Sequence, residues 1–505
     1  MELNVATALR ERAAASPQAV ALVDARTGEV QRYGALWSAA CGVAERLAAA
    51  GVVPGDVVGV CGANGLSLVA DVYGVLAAGA TLMPISPRDA PVAVAERLDR
   101  VGARWLLGTD ERRAGTLLRR LEADGDGTRT WLRSAPSEAR ADAGAPPPPY
   151  DWPAPRRAED AALLLFTSGT TGRSRGVRIG HGALVVHTRE LAHGRLGLRP
   201  DDVIWGALPL SHSFGARMVL LAACFAGARV VLVPHPDPAT DVEACARHGV
   251  TWIPAVPTLL HGLADAARSP LPTLRWCLSA GAPLAEPLRQ HVEARLGAPV
   301  YQGYGLTEAS FCTVDAPPDL PTAGSVGRPA WGVRVRVVEA GRVLEAGQRG
   351  EIEVRGVQRM LGDTSEDLPV DAWLATGDMG YLDADGKLFV VDRKKDLILR
   401  GGHNVVPAEV EAALLSLPSI RAAIVVGVPD GRLGEAVVAA LEPHDPEAGC
   451  DLAAIDRALR ERLADWQRPS RYAISGSLPV GGSGKLLRRA VRDAIADGSL
   501  RTEAP

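Results

Sequence analysis

The chain has 505 residues, more than one compact core accommodates, which predicts two or more domains. Its 47% hydrophobic and 23% charged residues are ordinary for a globular protein and do not suggest a disordered or fibrous chain. The net charge of −4 lacks the basic surplus that is typical of proteins binding nucleic acid or anionic membranes.

The seven cysteines are far apart and form no Cys-x-x-Cys pair. We therefore expect reduced core cysteines rather than a disulfide or zinc framework; Cys245 with nearby His248 falls short of a metal-ligand set. The first 17 residues mix acidic residues and arginines and contain no apolar secretory segment. The least polar stretch, 72–87, is too short to cross a bilayer. The sequence predicts a cytoplasmic protein without a membrane span.

Apolar periodic segments alternate with short β-rich runs up to about residue 350, a pattern that favours α/β layers with largely parallel sheets. The region 134–155 is predicted to be an exposed loop. After residue 392 the alternation restarts over a length sufficient for a separate domain. Predicted helices lie at 35–50, 66–78, 408–417 and 452–463, and predicted strands at 57–61, 81–84, 161–166, 333–338, 351–355, around 398 and at 424–428.

The segment 166–177, FTSGTTGRSRGV, follows one of these predicted strands. Its glycines allow backbone N–H groups to approach a bound anion closely, and its hydroxyl and arginine side chains add donors and positive charge. The Gly-Lys-Ser/Thr ending of a Walker A loop is absent. The composition predicts a triphosphate-binding loop, with a flexible surface turn as the alternative.

Four further segments carry candidate chemistry. YQGYGLTEAS at 301–310 presents Glu308 on a tight turn, either as a ligand for nucleotide-borne Mg²⁺ or as a plain acidic turn. The Thr-Gly-Asp sequence ending at Asp378 suits ribose hydroxyls but is also a common turn. The segment 392–411 combines a basic cluster, a Gly-Gly pair and a predicted helix start near Pro407. LPVGGSGKLLRR at 478–489 presents Lys485, either as a solvated charge or as a cation for a polyphosphate.

In this order and spacing, the five segments resemble the adenylate-forming superfamily of acyl-CoA synthetases, luciferases and peptide-synthetase adenylation domains. The resemblance spans nearly the whole chain and is greatest to acyl-CoA synthetases. It implies an α/β fold with a large multi-layer N-terminal domain at 1–392, which has mostly parallel sheets and a β-rich subdomain. It also implies a hinge at 393–396 that includes Lys395, and a small mobile α+β domain at 397–505. One departure is Ser174-Arg175, where the family usually has Pro-Lys; Arg keeps the charge but presents a planar fork.

The resemblance also implies roles for individual residues. Glu308 is expected to carry Mg²⁺, Thr307 to touch the α-phosphate, and Lys485 to bridge that phosphate and the acid's carboxylate. The residues expected to bind ATP are Thr167, Ser168, Gly169, Thr170, Thr171, Gly172, Arg175, Tyr304, Gly305, Asp378 and Arg393. The residues expected to line the acyl pocket are His212, Ser213, Phe214, Val256, Ser279, Gly281 and Gly303, with His212 beside the reacting carbonyl.

The segment 208–227 contains no Asp or Glu. An α-amino acid is therefore disfavoured, because its ammonium group would be buried without a partner, and a fatty, aliphatic or aryl acid is expected. Arg217 is the one strong charge in this segment. We expect it on a helix face, paired with a carboxylate or solvent, with contact to an acidic substrate as the alternative.

The leading hypothesis is an ATP-dependent acid–thiol ligase that makes an acyl-AMP and transfers the acyl group to CoA. The alternatives are loading of a carrier protein's phosphopantetheine, transfer to an amine or another nucleophile, and a catalytically silent relative that acts by binding. The presence of Glu308, Asp378, Arg393 and Lys485 argues against the silent relative. A P-loop phosphotransferase is disfavoured because both the Walker A loop and a kinase-type base motif are missing.

Overall fold

The computed structural model describes residues 3–108, 130–133, 151–167, 175–369, 371–394, 396–445, 449–481 and 487–504. The described residues up to Arg393 form three sheets, and a fourth sheet follows from Ile398 onward. Helices alternate with the strands of the two largest sheets. This architecture confirms the predicted α/β fold with a large N-terminal and a small C-terminal part. The boundaries at 392 and 397 stay a prediction, and Lys395 lies outside the described residues.

The largest sheet has nine strands within the described residues, and its central strands are parallel. Apolar side chains bury these central strands on both faces, as expected for a parallel sheet covered by helices. In spatial order its strands are Arg328–Pro329, Ser310–Val314, Val300–Leu306, Trp276–Ala280, Trp252–Ala255, Val203–Gly206, Arg229–Leu232, Val20–Asp24 and Val30–Arg32.

The second sheet has seven strands in the described part of the chain, with a parallel centre and an antiparallel edge. The antiparallel pairing of Thr167 with Arg175 sets the two ends of the predicted phosphate loop side by side. In spatial order its strands are Gly362–Asp363, Arg175–Gly180, Ala161–Thr167, Thr81–Ile85, Val57–Cys61, Trp105–Gly108 and Thr130–Arg133.

A third, antiparallel sheet forms the predicted β-rich piece. In spatial order its five strands among the described residues are Arg342–Val343, Val333–Glu339, Gly350–Gly356, Leu374–Leu382 and Leu388–Arg393. Buried Ile352 and Val354 join its inner face to the main hydrophobic core. This connection holds the Thr-Gly-Asp strand against the nine-stranded sheet.

One hydrophobic core spans both large sheets and the helices between them. The helix Leu66–Ala77 is buried along almost its whole length and packs on the helix Tyr33–Ala49. A Cβ at Gly74 would lie 2.4 Å from the Val43 side chain, so only glycine permits this close approach. The other described helices up to residue 300 are Thr7–Ala15, Pro91–Arg100, Pro238–His248, Pro257–Ala266 and Glu286–Leu296; wide π-type turns at Ala183–His187, Leu191–Arg195 and Gly215–Leu221 flank short α-helical turns at Thr188–Glu190 and Ala222–Ala226.

The C-terminal part is built on a long hairpin, Ile420–Asp430 with Gly434–Pro443. Alternate residues of the hairpin bury two separate apolar faces, one including Val425 and the other Val426. The remaining described strands here are Ile398–Arg400, His403–Val405 and Arg471–Ile474, and the helices are Pro407–Leu415, Leu452–Arg460 and Arg488–Ala496.

The structure confirms each predicted helix and strand to within a few residues at its ends. All seven cysteines are free thiols, and six of them are buried. Most of the predicted exposed loop, residues 134–150, lies outside the described residues. At Trp152 that prediction is wrong, because the large apolar ring packs into the main core with 8% exposure despite the prolines around it. Among the described residues, no helix combines the length and apolar character needed to cross a bilayer; the cytoplasmic location stays a prediction.

Candidate active site

Two motifs that lie 74 residues apart meet through their side chains. The hydroxyl of Tyr304 donates a hydrogen bond to Oδ2 of Asp378 at 2.5 Å. Tyr304 belongs to the nine-stranded sheet and Asp378 to the antiparallel five-stranded sheet. Burial, followed by the Asp378 charge, raises the pKa of Tyr304 well above its usual value, so the phenol stays protonated and donates. The predicted adenine and ribose residues are therefore in direct contact.

The Thr-Gly-Asp corner is held by the side chain of Thr376. Thr376 Oγ1 donates to the Ile352 carbonyl at 2.8 Å and accepts from the Asp378 amide at 3.1 Å. Gly377 adopts a φ of +72°, a left-handed conformation that suits glycine. Arg393 pairs with Asp378 across the ladder, and its Nε lies 3.3 Å from Oδ1. Burial raises the pKa of Asp378, while Tyr304 and Arg393 oppose that shift.

The Glu308 turn is tied to the seven-stranded sheet. The Glu308 carbonyl accepts from the Met360 amide at 2.7 Å, and two residues later Gly362–Asp363 pairs with the strand that begins at Arg175. Arg175 itself lies 3.7 Å from the Asp363 carboxylate. The Glu308 turn and the end of the predicted phosphate loop are thereby brought to neighbouring positions.

The Glu308 side chain is half-buried, and its carboxylate has no hydrogen bond or ion pair with another described residue. Carboxylate oxygens are ligands that Mg²⁺ prefers, and the Glu308 carboxylate is not engaged by another described residue. Thr307, directly before it, is also half-buried. The residues present at this turn therefore fit a nucleotide-borne magnesium ion.

Part of the predicted site lies outside the described residues. Thr167 and Arg175 frame the phosphate loop, and Arg175 is largely exposed. The predicted residues that the structure does not describe are Ser168, Gly169, Thr170, Thr171, Gly172, Lys395 and Lys485.

The predicted acyl-pocket residues gather at one edge of the nine-stranded sheet. In its parallel registers, Ala255 faces Ser279 and Ala280 faces Gly303. Carboxyl ends of parallel strands meet at one edge, which is where open α/β sheets bind ligands. Val256 and Gly281 follow two of these strands directly. Ser279 is buried, and its Oγ has no hydrogen-bond partner among the residues the structure describes.

Aromatic residues form a second wall beside this edge. The rings of Phe214 and Phe311 meet edge to face with centroids 5.3 Å apart. A Cβ at Gly303 would lie 2.5 Å from the Phe311 ring, so the ring lies directly on the glycine. His212 and Ser213 precede Phe214; His212 is exposed, and its carbonyl accepts from the Ala216 amide at 2.9 Å. The sheet edge and the aromatic wall are thus adjacent.

The expectation for Arg217 is wrong. Instead of lying on a solvated or carboxylate-paired helix face, Arg217 is 1% exposed. Its Nε, Nη1 and Nη2 atoms have no hydrogen-bond partner among the described residues. The helix from Gly215 is buried on every side. The prediction assumed that one face of this helix is solvated, and it was therefore wrong for the Arg217 side chain.

The sequence did not predict that two further residues, Met360 and Asp363, belong to this region. Met360 and Asp363 connect the Glu308 turn to Arg175, as described above. The Asp363 carboxylate also accepts from the Ser365 amide at 2.7 Å; although burial acts against it, these bonds and Arg175 lower the Asp363 pKa. An Asp two residues before Ser was the only local signal, and it is typical of ordinary turns.

The chain is similar over most of its length to known proteins. The profile of the AMP-binding enzyme family matches residues 9–362, and that of the AMP-binding enzyme C-terminal domain matches residues 409–485. The sulfoacetate–CoA ligase of Cupriavidus necator is 33% identical over 500 residues, covering 96% of each chain. ATP-bound MatB from Rhodopseudomonas palustris superposes with a TM-score of 0.89 at 27% identity, covering 98% of this chain and 99% of that one.

A third similar protein is the O-succinylbenzoate Coenzyme A synthetase of Bacillus subtilis, solved with ATP and a magnesium ion. It superposes with a TM-score of 0.83 at 29% identity, covering 97% of this chain and 99% of that chain. The chain therefore belongs to the AMP-binding enzyme family. It is an adenylate-forming ligase of the acyl-CoA synthetase type.

Proposed function

We propose that this site activates a carboxylic acid, fatty, aliphatic or aryl, as an acyl-AMP and then passes the acyl group to the thiol of CoA. The observation that supports the proposal best is the Tyr304–Asp378 hydrogen bond, because it joins a residue proposed to contact adenine to one proposed to bind the ribose. The acceptor is supported by the name of the similar sulfoacetate–CoA ligase. A cytoplasmic location belongs to the same proposal.

ATP is proposed to bind beside the Tyr304–Asp378 contact. Tyr304 and Gly305 flank adenine, while Asp378 and Arg393 hold the ribose hydroxyls. Asp378 is suited to that task because its oxygens already face hydrogen-bond donors. The phosphates extend toward the segment from Thr167 to Gly172 and toward Arg175, whose strand is tied to the Glu308 turn.

The first step is nucleophilic attack by the acid on the α-phosphorus. A carboxylic acid has a pKa of roughly 4 and is already ionised at neutral pH, so no general base is needed. A carboxylate oxygen forms a bond to phosphorus, and the bond to the bridging oxygen of pyrophosphate breaks. The obstacle is repulsion between anions. Lys485 and Thr307 are proposed to offset the charge on the α-phosphate.

Glu308 is proposed to hold the magnesium ion that accompanies ATP. Its half-buried carboxylate is free of other partners among the described residues, and the similar Bacillus subtilis synthetase was solved with ATP and magnesium. When bound, the ion supplies positive charge that weakens the repulsion between the phosphates and the incoming acid.

The second step is proposed to need movement of the C-terminal domain, residues 397–505, about a hinge at 393–396 that includes Lys395. Lys485 then leaves, and the turn at Gly401 and Gly402 helps to form a channel for the thiol. Both glycines have left-handed φ values, +57° and +84°, and close a hairpin between Arg400 and His403. Sulfur bonds to the acyl carbon, and the bond from that carbon to the AMP oxygen breaks.

The test is a panel of carboxylic acids in ATP–pyrophosphate exchange, repeated with CoA while AMP and the acyl-CoA mass are measured. We expect exchange with at least one acid and thioester formation from free CoA. Exchange without thioester, followed by acylation of a carrier protein or an amine, would move the acceptor to one of the alternatives. No exchange with any class of acid would overturn the proposal.

A further inference from the structure

A buried positive charge, Arg217, lies one helical turn after the predicted acyl-pocket residues Ser213 and Phe214, and no described residue forms an ion pair or hydrogen bond with it. Its charge interacts with Cys312, the residue after Phe311. Phe214 and Phe311 are in ring contact. The buried guanidinium therefore lies close to the strand that carries Phe311, on the helix that carries Phe214.

The groups that face Arg217 are electrically neutral at pH 7. Burial raises the pKa of Cys312 to about 12, so its thiol stays protonated. On the neighbouring helix, burial and then the Arg217 charge lower the pKa of His187 to about 3, so its imidazole stays uncharged. Burial lowers the pKa of Arg217 to about 9, which still leaves it cationic. No described residue offers an anion to this charge.

Such an arrangement is costly for folding. A buried guanidinium has lost its water shell, and its five N–H donors need acceptors. Natural proteins retain a charge of this kind where a partner arrives from outside, as in sites built for carboxylate or phosphate recognition. A planar guanidinium that is buried next to predicted acyl-pocket residues and lacks a partner among the described residues suits a second anionic group on the acid itself.

We propose that the acid bears a second anionic group, a carboxylate or a sulfonate, at the end remote from the activated carboxylate, and that Arg217 binds this group. This inference rests on the proposed acid-activating function and narrows its substrate class. Arg217 acts there as a specificity-determining residue. The activated carboxylate stays at the reaction centre because the fork of Arg217 holds the opposite end of the molecule.

The first experiment compares paired acids with the wild-type enzyme. α,ω-Dicarboxylic acids of increasing length, aryl dicarboxylic acids and ω-sulfonated acids are each matched with a neutral acid of equal length, and kcat/KM is measured by pyrophosphate exchange. We expect one charged acid to exceed its neutral partner by about 10²-fold, the effect of a charge-assisted hydrogen bond. The carboxylate and sulfonate series tell which anion is taken. Neutral acids exceeding every charged partner would overturn the inference.

The second experiment replaces the guanidinium. Arg217→Met keeps the volume and removes the charge, and the charged-to-neutral ratio of kcat/KM is expected to fall about 10²-fold. Arg217→Lys restores part of that ratio, since it keeps the charge without the fork. Because the ratio is taken within one protein preparation, partial misfolding does not affect it. An unchanged ratio in Arg217→Met would contradict the inference.

Arg195→Met is the matched control. Arg195 contacts the Val314 carbonyl on the same strand as Phe311, but it is paired with Asp319 at 3.0 Å. Its replacement is expected to leave the charged-to-neutral ratio unchanged.

If Arg217→Met cannot be purified, thermal shifts of the wild type with ATP and each paired acid are measured in place of the kinetics of this variant. Equal shifts within every pair would overturn the inference. Turnover of neutral acids alone would leave the acid-activating function intact, whereas no turnover of any acid would remove the function as well.

Discussion

Tyr304 donates a 2.5 Å hydrogen bond to Asp378, and Arg393 lies 3.3 Å from the other oxygen of the same carboxylate. The contact joins a strand of the nine-stranded sheet to a strand of the antiparallel sheet. Both oxygens of Asp378 are therefore held before any ligand arrives. A carboxylate fixed in this way is preorganised for a pair of neighbouring hydroxyls.

Tyr304→Phe removes the donor and leaves Oδ2 of Asp378 without this partner. We expect the KM for ATP to rise about 10-fold, the usual effect of losing one hydrogen bond to a charged group. Steady-state kinetics with ATP as the varied substrate measure the change. Tyr301→Phe is the control, because the Tyr301 hydroxyl lies on the same strand but donates to the Asp319 carbonyl. A similar rise in the control would mean that the strand, rather than the Asp378 contact, is responsible.

Asp378→Asn tests the raised pKa of the buried carboxylate. An acid with a raised pKa binds its proton more tightly in the folded state, so its contribution to the unfolding free energy declines as pH rises from about 4 through that raised value. Asparagine does not titrate. The unfolding free energy of the variant, relative to wild type, is expected to increase from pH 4 towards neutral pH, while ATP binding weakens. Urea unfolding of both proteins from pH 4 to neutral pH measures this change. A difference in unfolding free energy that does not vary with pH would contradict the burial argument.

Glu308→Gln replaces the proposed magnesium ligand by a neutral amide of the same shape. We expect the Mg²⁺ concentration for half-maximal exchange to rise and the maximal rate to fall by on the order of 10²-fold. A titration with magnesium at fixed ATP separates the two effects. Glu366→Gln, at an exposed carboxylate on the neighbouring 360–369 segment, is the control. An identical magnesium dependence in Glu308→Gln and wild type would exclude Glu308 as the ligand.

Lys485→Ala is expected to separate the two half-reactions. Pyrophosphate exchange should fall by on the order of 10²–10³-fold, because one group aimed at the developing charge is lost. Conversion of chemically prepared acyl-AMP with CoA should be affected much less. Arg489→Ala, a largely exposed cation nearby in sequence, is the control. Full exchange activity in Lys485→Ala would remove the lysine from the mechanism.

Two glycines on one strand are expected to respond differently to alanine. At Gly305 a Cβ would lie 2.0 Å from the Ser310 carbonyl oxygen, so the hairpin itself must open. At Gly303 the clash is with the ring of Phe311, a side chain that can shift. Gly305→Ala is therefore expected to lower the melting temperature and abolish exchange, and Gly303→Ala to change acid preference. Melting curves and the acid panel measure both; equal loss of stability in the two variants would contradict this difference.

The strands and helices were predictable because burial of one face imposes a regular spacing of apolar residues on the sequence. The run at 57–61 and the periodic segment from residue 66 are both observed, with ends differing by at most a residue or two. The motif residues were predictable individually, since glycines, hydroxyls and charges on short turns indicate phosphate and metal chemistry. Two side chains were not predictable in this way: Trp152, which packs in the core despite its proline-rich surroundings, and Arg217, which is buried.

The sequence by itself determined the fold class, the AMP-binding motifs and the absence of an acidic residue from the 208–227 segment. Only the tertiary structure decided that Tyr304 meets Asp378 and that Met360 ties the Glu308 turn to the phosphate-loop strand. It also decided that Arg217 is buried with no hydrogen-bond partner in the part of the chain that the structure describes. The spacing of apolar residues indicates which side of a helix or strand faces the core. Pairings between distant segments depend on how whole sheets pack. A helix buried on every side has no solvent-exposed face, so the spacing of its apolar residues does not indicate where a charged side chain lies.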